Sequence, residues 1–313
     1  MPRIVPWLPL ALAGALLTGA VARAAGDAPP EIAVTVKPLH SLVAAVMEGI
    51  GKPELVIPGT SRPSDYVPAA GDAGRLAKAR LVFWVGPMLE RSLARPLASI
   101  AGATEVVAVS GGPGVILRPT RSGGAWGLDD DSPAGTSDVS AMDGHLWLDP
   151  RNARAMVALV AARLGTADPA HAARYTGNAA KLYARLDALD AAFQKNLAPV
   201  ASWRFLVYRD DYQYLEQRYR LSAAGAILGA SGQPPGPLRM EALRHQIRLS
   251  HARCVFAEPD SPEALIDAVT DGLGVRTGSL DPEGIALKPG PDLYFDLMTA
   301  LAGSLRKCLL GSG

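Results

Sequence analysis

Aromatic residues are scarce in this 313-residue chain and cysteine is nearly missing. Aromatics make up 6% of the residues, so a core has to be built from Ala, Leu, Val and Ile. Two cysteines are too few for a disulfide-dense scaffold or a cysteine-rich zinc site, but enough for one bridge. Neither sign of charge dominates. The 31 Lys and Arg stand against 30 Asp and Glu with no basic stripe, so the footprint of a nucleic-acid binder is lacking. After residue 20 no apolar run reaches about 18 residues, which excludes an internal membrane-spanning helix. Hydrophobic residues at 49% and charged residues at 19% exclude wholesale disorder. No nucleophile elbow, P-loop, His-Glu-x-x-His or dinucleotide fingerprint is present. Gly111-Gly112-Pro113-Gly114 follows a strand, yet its proline and the lack of a following helix argue against a phosphate cradle. The chain reads as a non-enzyme.

The first 24 residues carry the pattern of a cleaved secretory signal. Arg3 supplies the positive start, residues 4–20 are apolar and uncharged, and Ala22-Arg23-Ala24 fits the small-x-small cleavage rule. Export places the two cysteines in an oxidising compartment.

After residue 30, short apolar strands alternate with helical periodicity. Strands are expected at 32–36, 55–57, 81–85, 105–109 and 145–148, with helices at 40–47, 72–79 and 87–100. Asp149 caps a helix opened by Pro150 and closed by Gly165. A long amphipathic helix runs over 169–196, with Tyr175, Ala179, Leu182, Leu186 and Phe193 at steps of three and four. The alternation then restarts, with strands at 204–208, 223–228, 254–257 and 276–280 and a last helix at 292–309. The expected fold class is α/β: two β-α lobes with mostly parallel sheets, joined by a long rigid interlobe helix. The expected organisation is a signal peptide at 1–24, a first lobe at 25–165, the interlobe helix at 166–198 and a second lobe at 199–313. The Gly-, Ser- and Asp-rich stretch 111–144, with Asp129-Asp130-Asp131 inside it, is expected to be a long flexible loop. No internal repeat is visible.

Several segments in order resemble the metal-binding periplasmic components of ABC importers, in their zinc-uptake branch. They are Val36-Lys37-Pro38-Leu39-His40-Ser41-Leu42, Leu81-Val82-Phe83-Trp84-Val85-Gly86, His145-Leu146-Trp147-Leu148-Asp149-Pro150, Cys254-Val255-Phe256-Ala257-Glu258-Pro259 and Gly278-Ser279-Leu280-Asp281-Pro282. The resemblance runs from Ile32 to Cys308. It implies a periplasmic protein, a monomer, that holds zinc between its lobes and hands it to an ABC permease and ATPase. It also implies that Cys254 and Cys308 pair.

The family's usual metal shell is three His and one Asp. The resemblance carries over His145 and Asp281 as ligands. Two positions depart from it: Ser64 in Pro63-Ser64-Asp65-Tyr66 and Arg209 in Val207-Tyr208-Arg209-Asp210 stand where His is usual. A serine hydroxyl is a poor zinc ligand, and arginine has five donors and no acceptor. Asp65, Asp210, Asp211 and His40 are the candidate substitutes. An oxygen-rich shell would shift preference toward manganese. Alternatively Arg209 pairs with Asp281 and replaces the cation, or Arg209, Ser64 and His145 form a donor-rich cleft for an anionic or chelated-metal ligand or the protein serves a regulatory partner.

Overall fold

The computed structural model describes Met1 and residues 29–69, 71–121, 141–229 and 232–311. The signal pattern and Asp129-Asp130-Asp131 lie outside the described residues.

The first half contains β1 (Ile32–Val34), α1 (Lys37–Val46), β2 (Glu54–Leu55), α2 (Asp72–Leu76), β3 (Leu81–Trp84), α3 (Ala94–Ile100) and β4 (Glu105–Ala108). Next come α4 (Pro150–Ala167) and α5 (Ala172–Leu197). The second half adds β5 (Arg204–Val207), α6 (Gln213–Tyr219), β6 (Ser222–Ala226), α7 (Pro237–Leu249), β7 (Cys254–Ala257), α8 (Glu263–Thr270), β8 (Arg276–Ser279) and α9 (Leu293–Leu310). Every strand pairing is parallel, giving sheets ordered β2-β1-β3-β4 and β6-β5-β7-β8. Helices cover such sheets, so their central strands are largely apolar, as in the buried Leu81–Trp84. The two sheets share one topology although the sequence shows no repeat.

Helix α5 is 26 residues long, roughly 39 Å at about 1.5 Å per residue. Its first turns cap α1: Asn178 donates to the carbonyls of Val46 (3.0 Å) and Glu48 (2.9 Å). Its later turns reach the second half, where Phe193 packs on Tyr219 with ring centroids 5.2 Å apart. The same helix thus supports both sheets. No helix of the described residues is long and apolar enough to cross a membrane.

Three local expectations need correction. Residues 146–148 form a 3-10 turn, not a strand, with Leu146, Trp147 and Leu148 all buried. Helix α4 passes through Gly165 and stops at Asp168, because Pro169 cannot donate the next helical hydrogen bond. The described ends of the 111–144 stretch are tied down. Thr120 N donates to Ala141 O (2.8 Å) and Asp143 N to Arg118 O (2.8 Å) across an antiparallel bridge, while Asn152 on α4 bonds both ways with the Ile116 backbone.

Cys254 on β7 and Cys308 on α9 form a disulfide, fastening α9 to the second sheet. Arg276 adds hydrogen bonds to the carbonyls of Cys308 (2.7 Å) and Leu309 (2.9 Å) at the helix end. The bridge closes a loop across a sequence separation of 54. In the chain-entropy picture that is worth about 4 kcal/mol. Replacing both cysteines by serine is therefore expected to lower the urea midpoint by that much stability, with no loss of far-ultraviolet helix signal in the absence of urea.

Candidate functional site

In both sheets the chain steps outward in opposite directions from a central strand, β1 or β5, to its two neighbours. Loops at the carboxyl ends of such strands diverge and leave a crevice. Here the two crevices face one another and enclose a cavity of about 480 Å³. The first half contributes Arg62, Ser64, Asp65, Arg91, Asp143 and His145, and the second Arg209, Asp210, Asp211 and Glu283.

His145 is held in place before any ligand arrives. Asp143 Oδ1 accepts from the His145 backbone N–H (2.9 Å) and lies 2.8 Å from ring Nδ1. The Trp147 ring sits edge-on to the imidazole at 5.3 Å. With Nδ1 donating, Nε2 is left for the cavity, where it lies 3.5 Å from Glu283 Oε1 and 3.7 Å from Asp211 Oδ2. Burial alone would push the imidazole pKa down. The carboxylates of Asp211, Asp143 and Glu283 outweigh it and hold the pKa well above the ordinary value.

Glu283 comes from a turn whose shape depends on Asp281. Asp281 Oδ1 accepts from the backbone N–H groups of Glu283 (3.1 Å) and Gly284 (2.8 Å), an Asx-type turn. Two first-half side chains fix that turn across the cleft. Lys37 donates to the carbonyls of Gly284, Ile285 and Leu287 at 2.8–2.9 Å, and Trp147 Nε1 to Pro282 O at 2.9 Å. Asp281 Oδ1 thus serves the turn, and Asp281 is not among the residues lining the cavity, where Glu283 stands beside His145.

The proposed substitutes divide. His40 is buried away from the cleft, its Nε2 3.0 Å from Pro53 O, and does not line the cavity. Asp210 reaches the cavity but is engaged by Arg121, whose Nε lies 2.9 and 3.0 Å from its two oxygens. Asp65 is exposed at the rim and accepts from Ser64 Oγ (3.0 Å). Asp211 does line the cavity beside His145. Arg209 lines it too, but its nearest carboxylate is Glu258 (3.6 Å), not Asp281. Among the described residues, no three His, Cys, Asp or Glu side chains are arranged to hold a metal ion as they stand.

Sequence reasoning missed Glu283, Asp143 and Arg62. The first two stand two residues from the motif positions Asp281 and His145, so tight turns around each motif were the available signal. Arg62 reaches across the cleft to Glu258 and Asp260 of the second half and lies 3.7 Å from Asp211.

The family described as zinc-uptake complex component A, periplasmic (ZnuA), matches residues 32–308. The chain belongs to the ZnuA family. Among curated relatives of that family, the high-affinity zinc uptake system protein ZnuA of Brucella abortus (strain 2308) is 35% identical over 96% of this chain and 98% of that protein. The protein of the same name from Paracoccus denitrificans is 31% identical over 96% and 97%. Among solved structures, a ZnuA crystal structure superposes with a TM-score of 0.76 at 19% identity, covering 90% of this chain and 99% of that one. The Pseudomonas aeruginosa binding protein FpvC in complex with Mn2+ gives a TM-score of 0.74 at 23% identity over 91% and 100%. These likenesses carry the fold. The ZnuA family is a periplasmic zinc-binding component of ABC importers, so the two-lobe α/β architecture and the cleft are those of a ligand-capture protein.

Proposed function

We propose that this ZnuA-family protein captures zinc in the cleft between its lobes, with His145, Asp211 and Glu283 as the metal-facing set, and delivers it to an ABC permease and ATPase. It acts in the periplasm as a monomer after removal of residues 1–24, and it binds without catalysing a reaction. Residues 25–165 and 199–313 are its lobes and 166–198 the link between them.

One observation carries the reading: an oriented imidazole faces two carboxylates from the other half of the chain at 3.5 and 3.7 Å. Donors about 2.1 Å from a tetrahedral zinc stand about 3.4 Å from each other. The two imidazole–carboxylate spacings exceed that by only a few tenths of an ångström. One nitrogen and two carboxylates suit zinc, and the oxygen share keeps manganese within reach.

Calorimetric titration of chelator-stripped protein with zinc, and with manganese in parallel, tests this. One zinc per chain is expected, weakened more than about tenfold in His145→Ala, since even groups that only orient a ligand cost 10–100-fold. Wild-type protein that takes up no zinc above surface background would sink the capture role.

A second reading, in which the cleft takes a chelated metal or an anion instead of a bare ion, is favoured by Arg209.

A further inference from the structure

Arg209 is a mostly buried arginine that makes no hydrogen bond among the described residues. Its side chain is 23% exposed, its closest charged neighbour is Glu258 at 3.6 Å from Nε, and its guanidinium stands 5.4 Å from the Tyr208 ring. Nε is sealed from solvent and has no hydrogen-bonding partner. Of the five guanidinium N–H donors only that on Nε is sealed; the terminal nitrogens, which carry the other four, remain open and find no hydrogen-bonding partner among the described residues. Two other cleft arginines are used by carboxylates: Arg62 by Glu258 and Asp260, and Arg121 by Asp210 and Glu216.

The opposite shortage lies in the same cavity. Zinc wants four donors, and the metal-facing set of His145, Asp211 and Glu283 leaves at least one position open. A cavity of about 480 Å³ is also far larger than a bare ion with ligands at about 2.1 Å requires. Unfilled coordination positions and an unused donor fork share one space.

We propose that Arg209 forms a carboxylate subsite, and that the metal is held together with a small carboxylate bridging it to this guanidinium. One carboxylate oxygen enters the metal shell and the other accepts from Arg209, the fork geometry that suits guanidinium best. The carboxylate balances the arginine's charge beside the dication, a repulsion the protein otherwise bears. The inference rests on the metal-capture reading and names its ligand more narrowly. The carboxylate could be a free monocarboxylate or part of a chelator that arrives with the metal.

The test uses the chelator-stripped mature chain in three arms: zinc alone, zinc with acetate, and zinc with citrate, each read by calorimetry and by retention of labelled carboxylate after gel filtration. Carboxylate is expected to be retained only with zinc, and at least tenfold more weakly by Arg209→Gln. Arg209→Lys, which keeps the charge but not the fork, is expected to fall between them, with thermal unfolding confirming that both variants fold. Retention with acetate identifies a free carboxylate as the source, and retention with citrate alone a chelator. Zinc bound equally tightly in all arms with no carboxylate retained overturns the inference and leaves metal capture standing. Retention undiminished in Arg209→Gln also overturns it. No zinc uptake in any arm removes both readings.

Discussion

Histidine at both departed positions, in the double variant Ser64→His with Arg209→His, is expected to tighten zinc binding at least about a hundredfold. Ser64, Arg209 and His145 line one cavity, so the new imidazoles would face the space His145 already faces. The larger share should come from Arg209→His. That change adds a ligand and also removes a cation. A unit charge about 4 Å from a dication costs on the order of 8 kcal/mol at an effective dielectric of 20. Side-chain movement and solvent at the open side of the cleft relieve most of it, but a hundredfold requires only about 2.8 kcal/mol. Ser64→His alone should gain less, because an exposed rim residue must give up rotamer freedom to ligate. The two changes should exceed the sum of the single effects, since both ligands would share one ion. Competition against a fluorescent zinc chelator measures all four proteins. A double variant no tighter than wild type would show that positions 64 and 209 do not face a common ion. The same variant should stop retaining carboxylate, having lost the guanidinium fork.

What could be read from the sequence follows from which signals are local. The parallel strands were legible because each is a short apolar run bounded by turn residues, and the long helix because its apolar stripe holds its spacing from Tyr175 to Phe193. The run His145-Leu146-Trp147-Leu148 misled because its three apolar residues are too few to show a period. Leu146, Trp147 and Leu148 are buried as a 3-10 turn, with Trp147 donating to the Pro282 carbonyl and the Tyr294 hydroxyl donating to the Trp147 carbonyl. The site was half legible. His145 and Asp211 could be named from motif positions, but whether Asp281 or Glu283 faces the cleft is decided by the Asx turn and by Lys37, which lies far away in the chain. A contact over that separation leaves no trace in local pattern. For the same reason the shared topology of the two halves is invisible in sequence: it needs only apolar strands in the same spatial order, not the same residues.

Arg62→Ala is expected to loosen the two halves and, where Glu258 is ionised, to cost about 3–5 kcal/mol, the range for breaking a buried ion pair from one side. Arg62 is 7% exposed and is one of the points where the first half grips carboxylates of the second. Its Nε lies 2.5 Å from Asp260, a terminal nitrogen contacts Glu258, and the other terminal nitrogen is 3.7 Å from Asp211. Without it Glu258, fully buried at its side chain, keeps only the Tyr212 hydroxyl (3.1 Å) and the more distant Arg209. The cost should depend on pH, and its direction can be derived. Burial first, then the neighbouring Asp211, push the Glu258 carboxyl up to about 8 even against the pull of Arg62 and Arg209, from an ordinary 4.5. A raised carboxyl binds its proton more firmly in the folded state than in the unfolded one. Its contribution is therefore complete below about 4.5 and is lost as pH rises through about 8. Removing Arg62 takes away one of the two cations that hold the value down, so the folded variant clings harder to that proton. At pH 5 the variant should carry Glu258 neutral and lose least; at pH 8.5 it must bury an unpaired charge or hold a proton against the solvent, and should lose most. Thermal unfolding of wild type and Arg62→Ala at the two pH values gives the comparison. A midpoint lowered by several degrees more at pH 8.5 than at pH 5 would fit the buried Glu258. Equal losses at both would mean that Arg62 acts through Asp260 and Asp211 and not through Glu258.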